Sequence, residues 1–206
     1  WPNAPAVSGG KVYPVVIGTP GSFRKPDGTL STTSGSPAYP LAESGSNYTK
    51  LLIAGHDVEA TSVTVFDGIG TASQSFSVTR ETDGLGRLVA TVDISSAGAI
   101  SPKEAEYWVV WDNGGGIGSP FASTALEGLG AVCAWALLRT SLRVDVPKWI
   151  AEAGILNRVK VGTYITEPTL SPWSFVARIL DSMLVEVRAG PSGLYPMGRV
   201  LDTAMA

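Results

Sequence analysis

The sequence predicts an α+β protein: an antiparallel β-barrel or sandwich part, followed by a part that mixes helices with a β-hairpin. Three observations carry this expectation. Short runs of alternating apolar and polar residues recur as far as Asp112, with turn residues between them, as in all-β domains. Apolar residues then recur at helical spacing from Leu126 to Leu137, and again from Trp173 to Met183. The texture shifts at the same place: residues 1–120 hold 17 of the 24 Gly and a formal charge of −4, whereas 121–206 carry +1. The expected organisation is a β-rich domain over 1–120 and an α+β domain over 121–206.

In the first part, Val12-Tyr13-Pro14-Val15-Val16-Ile17-Gly18 reads as a short apolar strand, with Pro14 at an edge or a strand start. Residues 19–46 are rich in Gly, Pro, Ser and Thr and read as a long surface loop that projects from the β core. Strands follow at Tyr48–Ala54, Thr61–Phe66 and Gln74–Glu81. Thr82-Asp83-Gly84-Leu85 is a hairpin turn. Arg87–Ser95 returns with Leu88, Ala90, Val92 and Ile94 on one face, and Glu106–Asp112 is the last strand.

In the second part, Thr124-Ala125-Leu126-Glu127 has capping-box spacing ahead of a helix. Asp145 caps a short helix that carries Pro147 in its first turn and stops at Gly154. Arg158–Thr166 alternates as a strand. Ser171-Pro172 opens a third helix, on which Trp173, Phe175, Val176, Ile179, Leu180 and Met183 form the expected buried stripe, with Trp173 as core anchor. Leu184–Ala189 and Leu194–Val200 flank Gly190-Pro191-Ser192-Gly193 as a β-hairpin.

Composition narrows the function. The 206 residues hold 15 basic and 18 acidic side chains, a net charge of −3 and only 16% charged residues, which gives no support to a basic nucleic-acid binder. A mean hydropathy of +0.18 without a membrane span points to apolar surface buried against partners. The apolar run Gly128–Leu138 is too short to cross a bilayer. One cysteine, Cys133, excludes a disulfide framework and a cysteine-rich zinc site. The chain opens with Trp1 rather than Met and no signal-peptide pattern is visible, so it reads as a segment or a processed product.

Motifs that suggest chemistry each fail a requirement. Ser22-x-x-Lys25 has acyl-enzyme spacing but lies between turn residues, where no helix fits. Gly114-Gly115-Gly116-Ile117-Gly118 lacks the Lys-Ser/Thr of a phosphate loop and reads as a flexible joint between the two parts. His56-Asp57-x-Glu59 lacks a further zinc ligand, and His56 reads as an exposed turn residue. Glu104 and Glu106 share a side of a strand, but nothing marks either as an acid with a raised pKa. Asn47-Tyr48-Thr49 is formally a glycosylation sequon. No catalytic, cofactor or metal residue is expected. Trp108 and Trp111 have odd spacing and so lie on opposite faces of one strand, which makes them the possible interface residues.

The second half carries a resemblance. Leu126-Glu127-Gly128-Leu129-Gly130, Trp135-Ala136-Leu137-Leu138, Leu142-Arg143-Val144-Asp145 and Val161-Gly162-Thr163-Tyr164-Ile165 come in that order. Ser171-Pro172-Trp173 and Val185-Glu186-Val187-Arg188-Ala189-Gly190-Pro191-Ser192-Gly193-Leu194-Tyr195-Pro196 follow them. This order resembles the baseplate or tail-tip hub proteins of long-tailed, siphophage-like bacteriophages and of related gene-transfer particles. It covers roughly residues 120–200, together with the opening segment 12–18; the middle, 46–112, aligns to nothing. The resemblance implies a virion structural protein at the phage tail tip, a homotrimer in a ring around the DNA channel. Its implied neighbours are a distal tail protein, a tape measure and a central fibre, and DNA would pass through the ring without sequence recognition. It implies no enzyme activity and no cofactor. The alternative from another class is a β-sandwich module that recognises a host-surface glycan or protein through Trp108 or Trp111.

Overall fold

The computed structural model describes residues 8–9, 11–20, 22–24, 30–67, 73–96, 106–111, 115–122, 124–151, 156, 158–167, 169–181, 183 and 185–198. The protein is α+β and mainly β. Ten strands come first: β1 Val15–Ile17, β2 Ser22–Arg24, β3 Leu30–Ser34, β4 Ser36–Ser44, β5 Asn47–Ala54, β6 Ser62–Asp67, β7 Ser73–Ser77, β8 Thr79–Thr82, β9 Leu88–Asp93 and β10 Tyr107–Trp111. Then come α1 Leu129–Leu137, α2 Val146–Ala151, β11 Thr163–Ile165, α3 Pro172–Asp181, β12 Val185–Gly190 and β13 Gly193–Gly198. Two compact units form: Trp1–Leu126 with Gly162–Thr166, and Glu127–Val161 with Glu167–Ala206.

The first unit is built on a curled antiparallel sheet of seven strands in the order β7-β6-β10-β4-β5-β9-β8. Strand β4 is its corner. Ser36–Ala38 pair with β10, and from Tyr39 onward β4 pairs with β5. Pro37 and Pro40 carry no N–H, so a flat central strand would lose ladder bonds at both. The change of partner between them, and register shifts between Pro40 and Glu43, bend the strand there. The expectation of a surface loop over 19–46 therefore fails for 30–44: Leu30–Ser34 pair with Ser22–Arg24, and 36–44 is the middle of the sheet. Proline content, which reads as loop in the sequence, marks a strand that turns a corner.

Alternation sets the inner face. Buried positions alternate with half-buried ones along β6 and β10, so Val63, Val65, Tyr107, Val109 and Trp111 share one core with Leu51, Ile53, Val92 and Ile94. Each fully buried aliphatic side chain stabilises by about 1.5–3 kcal/mol. Trp111 Nε1–H donates to Ser36 Oγ at 2.7 Å, which satisfies the indole inside the core. Gln74–Glu81, expected as one strand, is divided at Val78 into β7 and β8, which lie at opposite edges of the sheet. The hairpin β8–β9 turns at Asp83, whose carboxylate accepts from the Leu85 and Arg87 amides and from Arg87 Nε. These donors hold its pKa below the usual carboxylate range. On β9, Leu88 of the expected apolar face is exposed at the tip, while Ala90, Val92 and Ile94 are buried.

Residues 115–118 are pinned rather than jointed. Ile117 N–H donates to Val16 O, Glu59 N–H donates to Gly116 O, and Leu126 N–H donates to Ile117 O. A side chain at Gly116 would run into the backbone of Gly18, so Gly116 serves close backbone approach. The expected capping box at Thr124 does not open α1: Ser119 N–H donates to Thr124 O, and α1 starts at Leu129 with Gly128 as an N-cap that makes no side-chain bond.

In the second unit, α1 is apolar all round, and eight of its nine residues are buried. Asp145 accepts from Lys148 N–H at 3.4 Å and caps α2 as expected, and Trp149 of α2 is fully buried with Nε1–H donating to Leu194 O. The expected stop at Gly154 lies outside the described residues. Of the strand expected over Arg158–Thr166, only Thr163–Ile165 forms, as β11 paired with β1 in the first unit. Ser171 Oγ accepts from Ser174 N–H at 3.0 Å, the cap that opens α3. The hairpin β12–β13 turns through Pro191-Ser192. Gly193 has φ +126° and sits against the Arg143 carbonyl, a position that only glycine fills without strain.

Trp173 corrects the expected stripe. Phe175, Val176 and Leu180 are buried, but Trp173 is 44% exposed and Met183 38%. The periodicity does place Trp173 near Val176 and Leu180 on the helix wheel. It is the second residue of α3, however, and lines an open groove beside Val185 and Val187, while Phe175 of the same turn is buried.

Candidate functional site

The register of β4 against β10 decides what the first unit shows on its outer face. Tyr107 stands opposite Ala38, and Trp108 opposite Pro37. Ala38, Tyr107 and Val109 point into the core. By the twofold period of the strands, Pro37, Tyr39, Glu106 and Trp108 share the other face. There they line a cleft of about 230 Å³, with Lys11 on its wall.

The cleft has ordered aromatic walls. Trp108 meets Tyr164 of β11 edge to face, with ring centroids 6.1 Å apart at 70°. The Lys11 ammonium lies 6.0 Å from the centre of the Tyr39 ring, at the outer limit of a cation–π contact. Burial pushes the Tyr39 hydroxyl pKa above its usual value, and Tyr164 and Glu106 add to the rise. Burial also raises that of Tyr164. Both phenols therefore stay neutral donors, partly withdrawn from water, while Glu106 and Lys11 are exposed.

Of the two tryptophans expected at an interface, only Trp108 has surface to offer. Trp111 is 4% exposed and belongs to the core, which corrects the expectation for that residue. Trp108 and Trp111 do lie on opposite faces of β10, one of which is the core side. Their spacing does not set which of the two faces inward, because nothing local reveals which face of a strand is covered.

The other singled-out residues come apart. Glu104 lies outside the described residues and Glu106 belongs to the cleft. His56 is half-buried, not exposed: its Nε2 accepts from Val16 N–H at 2.9 Å, and its Nδ1 lies 2.5 Å from Asp57 O. Only a neutral ring with the proton on Nδ1 makes both bonds, so His56 ties β1 to the segment after β5. Asp57 is engaged by Arg80 Nε at 2.6 Å, while Arg80 also donates to Val58 O. Among the described residues, no group of three or more His, Cys, Asp or Glu could hold a metal ion. Cys133 is buried in α1, and burial pushes its thiol pKa up to about 12, far from a reactive thiolate. Lys25, the second half of the Ser-x-x-Lys spacing, lies outside the described residues, and Ser22 is in strand β2. Asn47 of the sequon is exposed at the start of β5. Among the described residues, no helix is long and apolar enough to cross a membrane.

Residues 190–200, the hairpin turn and strand β13, are similar to the periviscerokinin family, a match confined to this short segment. No curated protein and no solved structure matches the chain.

Proposed function

We propose that this chain is a structural, non-catalytic protein of a bacteriophage tail, part of the baseplate or tail-tip hub ring around the DNA channel. The observation that carries the reading is the order of elements after residue 121. Helices α1 and α2 are followed by β11, then α3, then a hairpin with a tight glycine turn at Gly193. This is the order that the resemblance to tail-hub proteins implies. Surface composition supports it as well. Five of the seven large apolar side chains exposed among the described residues belong to the second unit: Leu138, Leu142, Val159, Trp173 and Met183. Apolar surface of this kind suits a subunit that buries it against neighbours in an assembly.

In this reading the chain is a homotrimer in the virion, bound to a distal tail protein, a tape measure and a central fibre. Light scattering behind size exclusion tests it: the expected mass is three times the 21.4 kDa chain. Gold-labelled antibody against the chain should decorate the tip of the tail in intact particles. A strict monomer that labels no part of a tail would refute the proposal.

A further inference from the structure

We propose that the cleft on the outer face of the β4–β10 pair binds a neutral saccharide, one pyranose ring lying against Trp108 and Tyr39 with its hydroxyls reaching Lys11 and Glu106. The inference does not depend on the tail-hub reading, and either can fail alone.

Four features of the cleft lead to it. First, its walls are aromatic: Tyr39 and Trp108 line it, and Tyr164 meets Trp108 edge to face. An aromatic face carries negative quadrupole charge, which attracts the weakly positive C–H side of a sugar ring. Second, its polar groups are of both kinds. Lys11 donates only and Glu106 accepts only, so together they match hydroxyls, which do both. Third, the two charges have opposite signs. An anionic ligand would meet Glu106 and a cationic one Lys11, which favours a neutral ligand. Fourth, the cleft is small. Its 230 Å³ is below the roughly 300–1,000 Å³ of pockets for drug-sized ligands, which suits a single ring with the rest of a chain outside.

The site is also ready-made. Trp108 is braced by Tyr164, and both Tyr39 and Trp108 stand on adjacent paired strands rather than on a loop. Fixing these side chains before binding reduces the ordering cost that a small ligand must overcome. A proline-rich peptide also favours aromatic walls, but it extends about 3.1 Å per residue and needs a longer groove.

The test uses the full chain labelled with nitrogen-15, in which each tryptophan indole N–H gives its own resonance. Trp108→Phe assigns the signal of Trp108. The probes are maltotriose, cellotriose, triacetylchitotriose and a ten-residue polyproline peptide. At least one of the sugars should shift the Trp108 indole saturably, with a dissociation constant on the order of 1 mM. Tyr39→Ala should weaken that binding about tenfold, the change expected for losing one favourable contact. Glu106→Gln keeps the shape of an exposed side chain and weakens binding without risk to the fold. The inference is overturned if none of the sugars moves the Trp108 signal, if only the polyproline peptide does, or if sugar binding is unchanged in both Tyr39→Ala and Glu106→Gln.

Discussion

The two units dispose of their apolar residues differently. The first curls one sheet around a shared core, and among its described residues only Leu85 and Leu88, at the tip of the β8–β9 hairpin, are large apolar side chains left exposed. Among its described residues the second has the short helices α1, α2 and α3 and a two-stranded hairpin, with five such side chains in the open. A curled sheet brings the inward-facing side chains of its strands against one another. Short helices and a lone hairpin offer too few layers for that. The same residue type therefore means different things in the two units: Trp111 fills a core, whereas Trp173 stands at the open end of a helix.

The sharpest way to break this comparison is to truncate those two tryptophans. Trp111→Ala removes a buried indole and leaves Ser36 without its donor, and should cost about 3–5 kcal/mol in urea unfolding. A loss below about 1 kcal/mol would mean that the closed core of the first unit is not what stabilises it.

His56→Ala comes next. It leaves the Val16 amide without its acceptor and should cost about 1–3 kcal/mol, with faster hydrogen exchange at Val16. The turn position in the sequence suggests a tolerated change, so a loss within about 0.5 kcal/mol would restore that view.

Trp173→Ala should cost less than about 1 kcal/mol in the isolated chain, since nearly half of the residue is already exposed. The comparison sharpens if the same variant loses trimer mass in light scattering while it keeps its melting temperature. A large loss of stability in the monomer would place Trp173 in a core after all.

The smallest effect concerns acid. The folded state holds the Asp83 carboxyl below its usual pKa, so the ionised form adds stability above the ordinary value of about 4 and loses it as pH falls toward the folded value. Asp83→Asn should therefore lower stability at neutral pH and flatten its decline below about pH 4. An acid limb as steep in the variant as in the parent chain would assign acid sensitivity to other carboxylates.

Much of the fold is legible before folding. An apolar run marks β5, alternation marks β6 and β9, the Glu106–Asp112 run before the glycines marks β10, the Ser171-Pro172 pair marks the start of α3, and Gly190–Gly193 marks the last hairpin. These features are local: a strand shows its period and a cap its residue type over a few positions. β4 was not legible, because its prolines argue for a loop until the neighbours that it switches between are known. The cleft was half legible. Trp108 stands out by its spacing from Trp111, but Lys11, Tyr39 and Tyr164 come from three distant stretches with no common signal.

The sequence by itself determined the class of the fold, the type of those elements whose period or cap is local, and the supply of one His and one Cys, since composition and period are properties of the chain alone. Tertiary structure decided which face of each element is covered. It put Trp111 inside and Trp173 outside, turned His56 from a turn residue into a bond between segments, and gathered Tyr39, Glu106 and Trp108 on one outer face. The physical reason is that burial and hydrogen-bond partnership depend on what arrives from elsewhere in the chain, which no local period encodes.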